Sequence, residues 1–148
     1  MGLDNIPHRY PCKTAGTAIL NEELIDCNAT IDARRCPWAN AQLGKGALYG
    51  PFGTWCWYRG KAGTWMIQAL QKEGATLPDH LSGGFYGDGD RLTPDYCRQL
   101  ADWLEEHGEL YLSTVPDTDR HHEAAAYRYA VRWLRWVADH CDGADAWW

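Results

Sequence analysis

Between Ala33 and Lys72 the chain carries Arg34, Arg35, Lys45, Arg59, Lys61 and Lys72 and no acid, with Gly44, Gly46, Gly50, Gly53, Gly60 and Gly63 spaced through it. Glycine at that density loses too much backbone entropy on ordering for one continuous helix. From Asn28 to Gly63 the chain therefore reads as loops around short strands, with Ala47 to Tyr49 and Trp55 to Tyr58 the strand candidates. The segment carries +6 in a protein whose net charge is −6. From Glu73 to Asp117 the balance reverses, since ten acids face only Arg91 and Arg98, leaving −8.

Upstream, His8 to Cys12 reads as an extended entry, with Pro7 and Pro11 forcing the residues before them away from helix. Thr17 to Leu20 and Leu24 to Cys27 flank Asn21-Glu22-Glu23 as a hairpin. Downstream the pattern becomes helical. Thr64 reads as the cap of a helix over Trp65 to Glu73, and Gly74 as its left-handed stop. Thr93 followed by Pro94 marks another start. Tyr96, Leu100, Trp103 and Leu104 then recur on one face as far as His107, and Gly108 closes the helix. Leu110 to Leu112 reads as a strand. Thr114-Val115-Pro116-Asp117 caps the longest helix, which runs to about Cys141. Its apolar stripe is Tyr127, Ala130, Val131, Leu134, Val137 and Ala138, with Arg128, Arg132 and Arg135 on the flank. The expected fold is α+β, one small domain over residues 1–148. Its N-terminal half is loop and short strand, and its C-terminal half is two packed helices.

No stretch approaches the roughly 18 apolar residues of a membrane span, and Met1 to Ile6 has neither a basic region nor an apolar run. A soluble, cytoplasmic protein is expected, with its six cysteines reduced. Cys12, Cys27, Cys36 and Cys56 fall in the loop-rich half, where four soft ligands could hold zinc or, with Cys36-Pro37, an iron–sulfur cluster. The paired C-x-x-C spacing of zinc ribbons is absent, so packed thiols explain the same residues. Cys97 and Cys141 read as packing.

The acid-free segment supplies the leading candidate site. Arg34, Arg35, Arg59 and Lys61 could hold a phosphate beside backbone N–H groups, while Trp38, Trp55 and Trp57 could stack a flat ring. A duplex DNA binder would show a net basic domain, so a nucleotide-sized anion or an acidic protein partner fits better. The competing reading is that the basic and acidic segments complement each other across the fold. Asp88-Gly89-Asp90 reads as a turn and lacks the ligand run of an EF-hand. His121 and His122, adjacent on a helix, point in different directions.

Met1-Gly2-Leu3-Asp4-Asn5-Ile6-Pro7-His8-Arg9-Tyr10-Pro11-Cys12, with Asp26-Cys27, Cys36-Pro37-Trp38 and Cys56-Trp57-Tyr58-Arg59-Gly60-Lys61, resembles small cysteine- and tryptophan-rich proteins of prokaryotic viruses and their hosts. The likeness covers the first 60 or so residues and Phe85 to Trp103. It implies a compact accessory protein of a prokaryotic cytosol that binds a host factor or a signalling nucleotide, and it carries no activity and no site residue.

Three functions follow. The first is a non-catalytic binding protein that holds an anionic, nucleotide-like ligand or an acidic partner on the basic aromatic surface. The second is a zinc- or iron–sulfur-dependent enzyme or redox protein, with an acid or base drawn from Asp79, His80, Asp88 or His122. One such arrangement sets Cys56 as nucleophile beside His80 and Asp79. The third is a structural or interaction module, with Trp147 and Trp148 as an oligomer contact. Catalytic residues and oligomeric state are not fixed by the sequence.

Overall fold

The computed structural model describes residues 2–8, 10–12, 17–19 and 58–148. Four helices pack around a three-stranded antiparallel sheet among these residues, an α+β architecture. The strands are β1 (Asp4–Pro7), β2 (Tyr10–Cys12), β3 (Thr17–Ile19), β4 (Arg91–Leu92) and β5 (Ala144–Trp147), and the helices α1 (Gly60–Lys72), α2 (Pro94–Glu106), α3 (Gly108–Ser113) and α4 (Arg120–His140). The sheet order is β1-β5-β4, with Asp4 opposite Trp147, Pro7 opposite Ala144 and Leu92 opposite Ala144. No helix among the described residues is long and apolar enough to cross a membrane.

The two long C-terminal helices form as their patterns demand. Thr93 accepts a hydrogen bond from the Tyr96 N–H at 3.2 Å, with Pro94 in the first turn of α2. Such a cap stabilises by about 1 kcal/mol. Leu100, Leu104, Ala130, Leu134 and Val137 meet fully buried where α2 packs on α4. At the centre, Tyr58 lies 5.0 Å from Phe85 and stacks on Trp133 at 5.4 Å between ring centres.

The amino end of the chain is bound to this core through its backbone. Asn5 and Tyr58 exchange N–H···O bonds of 2.8 and 2.9 Å, and the Asn5 amide donates to the Phe85 carbonyl at 2.7 Å. Of the strand expected over Trp55 to Tyr58, Tyr58 does pair, while residues 55–57 lie outside the described residues. The Ala47 to Tyr49 strand and the second half of the Leu24 to Cys27 hairpin lie outside them as well. Thr17–Ile19 is a strand, and its partner is Tyr10–Cys12.

Three boundaries differ from expectation. The first helix begins at Gly60, and Thr64 sits inside it with its hydroxyl bonded to the Gly60 carbonyl at 2.9 Å. That back-bond is the alternative use of a threonine hydroxyl to capping. Leu110 to Leu112 is helical, because a three-residue apolar run has no period of its own and α2 passes almost directly into α3. The longest helix starts at Arg120, after a turn in which the Thr114 hydroxyl bonds the Tyr111 carbonyl at 2.7 Å. Ala144–Trp147, which no pattern flagged, is the central strand. Gly143 makes its approach possible, with φ of 72° and no room for a Cβ beside the Leu92 carbonyl.

Gly63 faces the Phe85 ring closely enough that an added Cβ would collide with it. Gly63→Ala should therefore lose roughly 1–3 kcal/mol through overpacking, even though alanine improves helix propensity by about 1 kcal/mol. The urea midpoint checks this, and an unchanged or higher midpoint would contradict the packing. Trp133→Ala, at a fully buried position, should cost about 3–5 kcal/mol in the same assay.

Candidate functional site

A groove of about 510 Å³ lies where the end of α2, one side of α3 and the middle of α4 meet. Its floor is apolar, built from Leu112, Tyr127 and Val131. Tyr127 is fixed there by its hydroxyl, which donates to the Leu104 carbonyl, and by a Tyr111 ring stacked 4.8 Å away. Burial pushes both tyrosine hydroxyls well above their ordinary pKa, and the Glu123 acceptor adds to this for Tyr111. They remain neutral hydrogen-bond donors.

Arg128, Arg132 and Arg135 stand along one wall, and their spacing along α4 sets them on one side of the helix. Arg135 is occupied, with Nη1 2.9 Å from Asp102 and Nη2 2.6 Å from Glu105. Burial alone would lower its pKa, but those two carboxylates raise it overall, so its charge is permanent. Arg128 is exposed and has no ion pair among the described residues. Glu105 and Glu109 are also on the wall, and with the Asp102 carboxylate on Arg135 three bases meet three acids, where the chain as a whole carries −6. An apolar floor under guanidinium groups suits an anion attached to a hydrophobic body.

The basic aromatic segment is described only at its end. Arg59 is exposed with Nε 3.9 Å from Asp4, and Lys61 holds its ammonium 5.7 Å above the centre of the Trp65 ring. Arg34, Arg35, Trp38, Trp55 and Trp57 lie outside the described residues. So do Cys27, Cys36 and Cys56, while Cys12 is on β2. No group of three or more His, Cys, Asp or Glu side chains placed to hold a metal occurs among the described residues.

The acidic stretch finds some of its counter-charges in the helices. Arg98 lies 3.2 Å from Asp95 and 3.5 Å from Asp139, besides the Arg135 pairs with Asp102 and Glu105. His80 shares a 2.6 Å hydrogen bond with Gln99, which directs its ring towards α2. The Asp88 to Asp90 segment is a turn, and Asp90 accepts the Trp148 indole N–H at 3.0 Å. Trp148 also meets the Tyr86 ring edge-on at 6.3 Å, yet it and Trp147 stay largely exposed. His121 and His122 are exposed in the first turn of α4.

Cys97 is fully buried, its thiol 3.7 Å from the Leu92 carbonyl, and Cys141 is half-buried against the core. Burial dominates the Cys97 thiol and pushes it up to about 12, although Arg91 and Arg98 pull the other way. Burial raises Cys141 as well, and the neighbouring Cys97 adds to it. The packing role expected of both agrees with these positions.

No protein-family model, curated protein or solved structure matches the chain.

At pH 8 a thiol with a pKa of about 12 is ionised in only about one molecule in ten thousand. Iodoacetamide should therefore leave Cys97 and Cys141 unlabelled in the native protein and label both after denaturation, as read by peptide mass mapping. Rapid native labelling of Cys97 would overturn its burial. The buried thiol's contribution to stability is fully present below the ordinary thiol value and is lost as pH climbs towards about 12.

Proposed function

We propose that the chain is a non-catalytic binding module that holds a small anion with a flat apolar body in the groove between α2, α3 and α4. The observation that supports this most directly is the placing of the exposed Arg128, with Arg132 and Arg135 on the same side of α4, above an apolar floor. The groove is within the range of small-molecule sites, roughly 300–1,000 Å³. Guanidinium groups favour carboxylate, sulfate and phosphate oxygens because their planar donors match those acceptors two at a time. A nucleotide-like ligand satisfies both requirements, with the ring on Tyr127 and Val131 and the anion towards the arginines. The accessory role that a resemblance to small cysteine- and tryptophan-rich proteins of prokaryotic viruses and their hosts would imply is compatible with a binder, and that resemblance carries no activity of its own.

The expected affinity is modest. Burying about 150 Å² of apolar ligand surface contributes about 4 kcal/mol, and each charge-assisted hydrogen bond adds about 2 kcal/mol. Lost rotational and translational freedom opposes these by about 4 kcal/mol or more. Dissociation constants between micromolar and millimolar follow.

Titration with 8-anilinonaphthalene-1-sulfonate, a fluorescent aromatic anion, tests the reading. An Arg128→Ala/Arg132→Ala double variant should bind at least about tenfold more weakly, since the loss of about 1.4 kcal/mol suffices for that. Arg98→Ala, away from the groove, should bind as the native protein does. Adenosine monophosphate should displace the dye and be recovered chemically unchanged. Unaltered dye binding by the double variant, with native near-ultraviolet circular dichroism, would refute the site.

A further inference from the structure

A second hollow, of about 370 Å³, opens on the other side of the stacked Tyr111–Tyr127 pair, between α1, α3 and the beginning of α4. Its chemistry is the inverse of the arginine-lined groove. Asp119 and Glu123 line it, no lysine or arginine does, and His122 is its remaining ionisable side chain apart from Tyr111. Arg120, the nearest base in sequence, is paired with Asp117 at 2.9 Å. The partial positive charge at the start of α4, about half a unit, is outweighed by the two carboxylates.

We infer that this hollow binds a small organic ammonium ion. Three features beyond its charge favour a ligand cation, and the first and last of them favour an organic one. Trp65, 60% exposed, and the Tyr111 ring give it aromatic walls, and the faces of such rings attract cations. The Lys61 ammonium, 5.7 Å over the Trp65 ring but not among the lining groups, already occupies one side of that ring, so a ligand cation would meet the side turned to the hollow. Secondly, Glu123 is held in place by the Tyr111 hydroxyl, which donates to one of its oxygens at 2.7 Å. A carboxylate fixed by one oxygen keeps its orientation while the second can face a ligand. Val115 completes the wall with an apolar surface that would meet methyl or methylene groups and gives nothing to a hydrated metal ion.

Choline chloride titrated by calorimetry, against sodium chloride at matched ionic strength, provides the test. Saturable binding of choline is expected, weakened at least fivefold by Glu123→Gln and by Trp65→Ala. Glu123→Gln keeps an acceptor for Tyr111, and Trp65 is exposed, so both variants should retain the native urea midpoint. Absence of choline binding beyond the sodium control overturns the inference. So does choline binding that neither variant weakens. Calcium binding that depends on Glu123, with no response to choline, would identify the hollow as a metal site instead and equally overturn it. Binding of 8-anilinonaphthalene-1-sulfonate should be unaffected by Glu123→Gln, so this hollow and the arginine-lined groove stand or fall separately.

Discussion

The reciprocal backbone pairing of Asn5 with Tyr58 holds the molecule together at the point where its parts meet. It is short-ranged and involves only two residues, but it fixes the register of β1 and the first residue of α1 at once. It also delivers the Tyr58 ring between Phe85 and Trp133, where α4 and the turn before β4 converge. A buried polar backbone without such a partner would be costly, so the pairing excludes alternative placements of the chain. Helix α1 can begin at Gly60 only because its backbone sits against Leu3 and Asn5 with no side chain between them.

Both hollows follow from the joint between α2 and α3. Had Leu110 to Leu112 run on as a strand, α4 would keep only α1 and α2 as helical neighbours, and neither hollow would have its α3 wall. A six-residue helix instead presents Leu112 to one side and Tyr111 to the other. The stacked tyrosines form the partition. One face of α4 therefore lines a basic groove, while its first turns line an acidic one. The Tyr127 ring lines the first and the Tyr111 ring the second, stacked 4.8 Å apart.

The helical half was legible because its signals are local. Thr93 and Pro94 act within one turn, and the apolar repeat of α4 needs only its own sequence to be read. The central strand was not, because Ala-Asp-Ala-Trp has little intrinsic preference for extension and is made a strand by neighbours on both sides. The site was half legible. Arg128, Arg132 and Arg135 were visible as a flank, but what makes that flank a wall is α3, whose helical state no periodicity could announce. Within the acidic run, Asp102 and Glu105 meet Arg135 of the adjacent helix, a pairing that the segment charges did not announce. Charge balance along a sequence does not say which element lies next to which.

The position of β5 between β1 and β4 has a consequence for how the molecule is assembled. Its two partners are separated from each other by more than half the chain, and the sheet joins residues near 4 to residues near 147. Contacts so distant in sequence reward the chain only after most of it is already confined. The helical pair has no such requirement, since α2 and α4 are near neighbours in sequence and share a continuous apolar seam. The sheet should therefore close late, as a latch over a helical body that is already assembled. Its strands should exchange with solvent on a faster clock than the helix seam, because opening the latch exposes far less apolar surface than parting the helices.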